Sequence, residues 1–371
     1  RVAFLYDDAL EQGSVVVDGG TSNGDAKAGR SGTVFLGARS PTPLVDLNLT
    51  SGTIVFDSAG AWTHTSGLKG KGSVARSVFS GNGQSFGYGV CTFRFNNFSL
   101  GPNVSVVVRG SNSLLFDIEG NATISTQISL DGKSGLQGVY SGLPGSGGWS
   151  SGRGLRDTEN NGNLHPALNG QGPGGGRGYE KTKSNGGGSY GGEGSGGFNL
   201  GIAGMVYGDE KITHLIGGSG GGHAAIGTGN SGGGGGAIGF EVSGDFSLDA
   251  NGSISVVGGS GDADADSSGA GGSGGSIRIE AANIHNAGRL LAMGGDAYGL
   301  GGPGGGGRIA LATGGTLQDG DTNASGGKSL GFSSSTHRGS DLVGHWKFDE
   351  IASISVAADS SGNELNGTIG G

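Results

Sequence analysis

The sequence predicts an all-β solenoid, and three observations carry that prediction. Short runs place β-branched or aromatic residues at every second position, as half-buried strands do. The cores of these runs recur along the chain in related form, as stacked repeats do. Helices are disfavoured, because 91 of the 371 residues are Gly and each interior Gly costs a helix about 1 kcal/mol.

In chain order the alternating runs are Val15/Val17, Ile54/Phe56, Phe93/Phe95, Val104/Val106/Val108, Leu114/Phe116/Ile118 and Ile124/Ile128. Between residues 93 and 130 they are separated by Asn96-Asn97, Gly101-Pro102-Asn103, Gly110-Ser111-Asn112 and Gly120-Asn121, all turn formers. Short strands at this spacing suit a sandwich or a solenoid, and internal repetition favours the solenoid. The segment GSISVVGG at 252–259 echoes GSVVVDGG at 13–20, and 287–295 is a later copy. Each copy leads through a Gly-rich bridge into a small strand: GTVFL at 32–36, GSIRI at 275–279, GRIAL at 307–311, with 236–240 opening the pattern earlier. The Ile of this strand recurs at 238, 277 and 309, spacings of 39 and 32. One coil of roughly 30 residues, with three short strands and three turns, accounts for the pattern. Stacked coils bury a column of Val, Ile, Leu and Phe, which explains order in a chain with only 33% hydrophobic residues.

Residues 136–236 read differently. Runs at 172–178, 186–188, 217–222 and 232–236 leave few side chains to pack. A structureless loop of this length is improbable inside an ordered domain. Gly permits close backbone approach, so extended β-like layers and a bundle of extended polyglycine helices both remain open. Tyr179, Tyr190, Phe198, Tyr207 and His214 are the candidate anchors of this lobe.

The strings SGGSIRI at 273–279, GGGGRIAL at 304–311, GGGGGAI at 232–238 and CTFRFNNFSL at 91–100 resemble the Gly-rich repeats of large, adhesin-like surface proteins. The resemblance covers roughly residues 1–320 and implies a right-handed parallel β-helix with a glycine-rich insertion. The opening RVAFLYDD is similar to the strand after a Gly run, as Arg308–Leu311 is, so the chain is expected to begin within an array. Near the other end, LVGHWKFDE at 342–350, AADSSGN at 357–363 and NGTI at 366–369 resemble the start of a laminin-G-like, concanavalin-type jelly roll. Only its first strands are present, and unpaired strand edges invite another chain. The expected layout is coils over 1–135, the glycine lobe over 136–236, coils over 237–340 and the C-terminal strand segment over 341–371.

Composition narrows function. The net charge is −9 with no Lys/Arg cluster, which argues against nucleic acid. No apolar run approaches 18 residues, so no membrane-spanning helix is expected. The lone Cys91 excludes an internal disulfide or a Cys-based zinc site and reads as a buried strand residue. The seven His are isolated, no GxSxG elbow occurs, and no Gly run continues as a phosphate loop. Acidic pairs such as Asp7-Asp8, Asp209-Glu210 and Asp349-Glu350 are scattered, without the clustered carboxylates that solenoid hydrolases use. Asp262, Asp264 and Asp266 alternate as in calcium loops, so calcium is the one candidate ion, although Ser273 stands where the loop pattern wants a carboxylate. Trp62, Trp149 and Trp346 could stack on sugars, but Trp more often packs.

Seven N-x-S/T sequons, at Asn48, Asn97, Asn103, Asn121, Asn251, Asn323 and Asn366, point to a glycosylated extracellular or cell-surface protein. Catalytic residues and resident cofactors are not expected. The reading is a structural subunit of an extracellular filament, surface hair or matrix that self-associates through its solenoid ends. The tail strands, with Leu342, Val343, Trp346, Phe348 and Ile354, are expected to dock on a neighbour. The alternative is a glycan-binding surface adhesin module.

Overall fold

A computed structural model describes residues 44–81, 83–135, 142–152, 168–178, 185–197, 201–223, 230–261 and 269–330, and the backbone of short strands at 2–6, 34–38, 356–357 and 367–368. The expectations for Val15/Val17, Asp262, Asp264, Asp266, Asn366 and the five tail residues fall outside the described residues, as do those for Tyr179 and Phe198.

The chain divides into Arg1–Val45 and Asp46–Gly371. The first unit holds β1 (Val2–Tyr6) and β2 (Val34–Ala38), paired in parallel with Val2 opposite Val34. The second opens with β3 (Leu47–Asp57), β4 (Ala61–His64) and β5 (Lys69–Lys71), then β6 (Ser73–Gly81) and β7 (Gln84–Phe95). β8 (Phe98–Arg109), β9 (Ser113–Ile118), β10 (Ala122–Ile124) and β11 (Gln127–Ser129) follow. After the glycine-rich stretch come β12 (Ala237–Leu248), β13 (Ser253–Ser255), β14 (Ser276–Asn286), β15 (Arg289–Leu291) and β16 (Ala297–Tyr298). The last strands are β17 (Arg308–Thr313), β18 (Leu317–Gln318), β19 (Asp321–Asn323), β20 (Ser329–Leu330) and the antiparallel pair β21 (Val356–Ala357) and β22 (Gly367–Thr368). The fold is all-β, with no helix among the described residues.

Most ladders are parallel, and their registers line up apolar columns. In the first, Cys91, Leu114, Ile238, Ile277 and Ile309 face one another strand to strand. Two positions on, Phe93, Phe116, Phe240, Ile279 and Leu311 do the same. The recurring Ile residues at 238, 277 and 309 are thus direct cross-strand partners. A second column runs through Leu47, Phe98, Ala122, Phe246, Ile284 and Leu317. A third runs through Ile128, Ile254, Leu290 and Thr322. Because side chains alternate across a strand, an in-register stack puts every second residue inside. The columns merge into one core. Phe116 stacks on Phe240 at 5.1 Å and on Phe93 at 6.0 Å, a contact favourable beyond simple burial.

A polar ladder marks the corner before the second column. The Asn97 N–H donates to Asp46 Oδ1 (3.1 Å), the Asn121 N–H to Asn97 Oδ1 (3.0 Å), and the Asp245 N–H to Asn121 Oδ1 (2.8 Å). Asn283 Nδ2 then donates to Asp245 Oδ1 (2.7 Å), and the Thr316 N–H to Asn283 Oδ1 (2.8 Å). Four of these five bonds satisfy a backbone N–H, and the fifth joins two side chains. The Asn97 and Asn96 amides hold the Asp46 carboxyl below its usual pKa.

Antiparallel pairs, which the expected coils do not contain, are added to the parallel strands β3 and β7. β3, β4 and β5 form an antiparallel meander, and β6 and β7 an antiparallel hairpin. Gly60 at φ +109° closes the first turn and Gly83 at φ +75° the hairpin, conformations that favour Gly. Alternation alone does not distinguish antiparallel from parallel pairing, so the run Ile54/Phe56 reads identically in both.

The glycine segments are ordered by backbone alone. Gly232 and Gly235 donate to Ala270 O and Ser273 O; Gly233 and Gly236 to Lys133 O and Leu130 O; Gly234 and Ala237 to Trp149 O and Ser146 O. Gly271 and Gly274 likewise bond Gly302 and Gly305, while Gly272 and Gly275 bond Gly259 and Val256. Donors that return to the same neighbour every third residue have the period of an extended helix with three residues per turn. Of the two arrangements left open by the sequence, the polyglycine type is the one present. The lattice is not confined to 136–236, because 256–261, 269–275, 292–295 and 302–307 all take part.

Candidate functional site

Parallel register assembles an outward-facing charged row that no short motif encodes. Arg94 lies opposite Asp117, Asp117 opposite Glu241, Glu241 opposite Glu280, and Glu280 opposite Ala312. Neighbouring strands are about 4.8 Å apart, so three carboxylates stand side by side. Arg278, two residues before Glu280 on the same strand, ion-pairs with Glu241 and reaches Glu280 at 3.5 Å. Its Nε finds a charge contact there rather than an aligned hydrogen bond. Arg94 Nε donates to Asp117 Oδ2 at 2.8 Å, and its Nη2 approaches Glu119 Oε1 at 3.6 Å.

Burial raises the Glu241 pKa; Arg278 opposes that shift, while Glu280 and Asp117 reinforce it. The row borders an open depression of about 570 Å³ that Val242, Ala281, Ala312, Thr313 and Gly314 also line. Four carboxylates against two guanidiniums leave it net negative. Glu241 and Glu280 are both committed to one guanidinium, so the arrangement braces adjacent strands and presents a negative rim.

A strap crosses the outer face of the first column. Ile212 and Leu215 pack on Leu115, Val90 and Ala310. Ser113 Oγ donates to Leu215 O (2.7 Å), Ser276 Oγ to Ile216 O (2.8 Å) and Arg308 Nη2 to Tyr207 O (3.0 Å). Ile212 is held at φ +53°, strained for a β-branched residue. The strap ends in an aromatic knot. Tyr190 and Tyr207 meet at 4.7 Å, Phe79 packs on Tyr207 at 5.8 Å, and Arg308 lies over the Tyr190 ring at 5.5 Å. Burial pushes the Tyr190 hydroxyl up to about 12 and Tyr207 well above its ordinary value. Two candidate anchors of the lobe, Tyr190 and Tyr207, are therefore core residues. His214 joins them at the edge, where its Nδ1 lies 2.9 Å from Tyr88 Oη.

The other candidates are dispersed. Asn48, Asn103 and Asn251 have exposed side chains on separate turns and strands. Asn121 is exposed, but its Oδ1 serves the polar ladder. Asn97 Nδ2, the atom a glycan would occupy, donates to Asp46 at 2.9 Å. Asn323 Oδ1 accepts the Ser325 N–H. Cys91 is fully buried, and burial pushes its thiol up to about 11. Trp62 is buried, 5.9 Å from Phe95. Trp149 is half-buried between Phe86 and Tyr207.

Among the described residues no group of three or more His, Cys, Asp or Glu is placed to hold a metal ion, and no helix is long and apolar enough to cross a membrane. No family model, curated protein or solved structure matches the chain.

Proposed function

We propose that the chain is a rigid structural module of an extracellular surface or matrix assembly. In this reading the apolar columns are successive coils of a right-handed parallel β-helix, the hand taken by nearly all parallel crossovers, and the glycine lattice is a buttress along its side. The observation that carries the reading is the three-way bonding of the lattice: Gly232–Gly236 donate in turn to three different neighbouring segments. A bundle cross-linked in three directions resists shear along each of them, which suits a load-bearing part. The Arg278–Glu241–Glu280 network supports the same reading as an outer brace. Stack ends that offer open backbone groups provide the route to filaments. Exposed sequons at Asn48, Asn103 and Asn251 fit a glycosylated surface.

A glycan-binding module is the second reading, favoured by the half-buried aromatic rim of Phe86, Tyr88 and Trp149. Negative-stain micrographs of the purified chain, combined with glycan-array binding, separate the two. Filaments without array binding support the structural module. Discrete particles that bind sugars, with binding lost in Trp149→Ala, overturn it.

A further inference from the structure

Outward side chains of the first column form successive rows, because residues alternate across each strand. The register puts Ser113, Ser276 and Arg308 in one row and Leu115, Gly239, Arg278 and Ala310 in the next. The charged row of Asp117, Glu241 and Glu280 follows. The strap, residues 207–216, lies over the first two rows. Ser113 Oγ, Ser276 Oγ and Arg308 Nη2 hold its carbonyls at Leu215, Ile216 and Tyr207. On the second row Leu215 sits over Gly239, where a Cβ would come within 3.2 Å of it. Arg278 Nη1 donates to Ile212 O (3.4 Å).

The strap is tied to the sheet by side chains. Its Ile212 and Ile216 N–H groups donate to Asp209 O and His214 O, inside the strap, and the Thr213 N–H to Asp209 Oδ1. Among the described residues, none of 208–216 makes a backbone bond to a strand. An element held this way opens more readily than the ladders beneath it. Arg278 belongs to both bodies. Its Nη2 pairs with Glu241 and its Nε faces Glu280 at 3.5 Å, while Nη1 holds the strap. The carbonyl it holds is that of Ile212, the residue strained at φ +53°.

We propose that Arg278 makes the strap and the charged row a single latch. The carboxylates of Glu241 and Glu280 aim the guanidinium, and the aimed guanidinium keeps the strained Ile212 turn closed. Loss of the partner at Glu241 loosens the strap, lets Ile212 relax and bares Leu115 and Ala310, while the columns and the lattice stay intact. The planar fork of Arg serves three acceptors at once; the ammonium of Lys is a point charge and does not. The latch rests on these contacts and not on any part the chain plays in an assembly.

The test is native-state amide exchange of the full chain, read at Ile212, Thr213 and Ile216 against Gly235 and Gly275 of the lattice. Arg278→Lys should speed exchange in the strap about tenfold or more, the factor expected for losing a hydrogen bond to a charged group. Lattice rates should not change. Glu241→Gln, a mild substitution at a half-exposed side chain, should speed the same strap amides and also spare the lattice. Because both act through one guanidinium, the double variant should be no faster than Arg278→Lys alone. Strap rates that stay native in Arg278→Lys, that ignore Glu241→Gln, or that add in the double variant overturn the latch. Strap rates that rise only together with those of Gly235 and Gly275 also overturn it, since Arg278 is then a general brace.

Discussion

In the apolar columns, Ile238, Ile277 and Phe240 hold the chain by what their side chains displace from water. In the glycine lattice, Gly232–Gly236 have no side chains to bury, and order comes from backbone groups bonded in three directions. The columns gain from added methylenes until they are full, at roughly 0.8 kcal/mol per buried CH₂. The lattice gains from their absence, because a Cβ on Gly275 would lie 1.8 Å from Gly236 O and one on Gly232 1.7 Å from Gly259 O. A residue that would strengthen one region breaks the other. Low hydrophobic content is therefore no sign of disorder when backbones can approach closely enough to satisfy one another.

The sharpest way to break the column side is Ile277→Asp, which buries an unpaired charge at a fully buried position. A loss of about 5 kcal/mol is expected in urea unfolding. A fall below 1 kcal/mol would mean that the column is not the core. The matching lattice experiment is Gly275→Ala, which adds a single methyl. We expect a loss of about 3 kcal/mol or more, since a neighbouring backbone must move. An Ala as harmless as at a surface site would remove the contrast between the regions.

Alkali acts on the column through Cys91, and on the aromatic knot at higher pH through Tyr190 and Tyr207. The Cys91 thiol ionises near 11 in the folded chain against an ordinary 9.0, so its contribution is fully present below pH 9 and lost as pH rises through 11. Stability should fall by about 2 kcal/mol from this group by pH 11, and Cys91→Ala should flatten that part of the profile. Identical slopes for the two proteins would contradict the burial. The smallest effect concerns the surface. If the chain is secreted through a glycosylating pathway, peptide mapping should find glycans at Asn103 and Asn251 and none at Asn97, whose amide is held by Asp46. Full occupancy at Asn97 would show that the polar ladder opens there.

Some of this was readable from residues alone. Ile238, Ile277 and Ile309 share a strand template at nearly regular steps, so their stacking was legible. Leu114 belongs to the same column, but 124 residues separate it from Ile238, and no local pattern bridges such a gap. The hairpin of β6 and β7 was missed by the reading of 1–135 as coils, although Asn82-Gly83 is a two-residue turn signal. The charged row was invisible because Asp117, Glu241 and Glu280 become neighbours only through register. The polar ladder read as turns and sequons. Its signal was an Asn, Asp or Thr immediately before an apolar residue, repeated at Asp46-Leu47, Asn97-Phe98, Asn121-Ala122, Asp245-Phe246, Asn283-Ile284 and Thr316-Leu317.

That ladder has an architectural consequence. Asn97 and Asn121 sit on adjacent steps and are 24 residues apart, while Asn121 and Asp245, also on adjacent steps, are 124 apart. Adjacency in the ladder is thus uncoupled from the length of chain between neighbouring strands. New sequence can be spliced into the sideways excursions without shifting the address of any strand above or below. The number of paired strands and the length of the glycine segments between them can therefore vary independently.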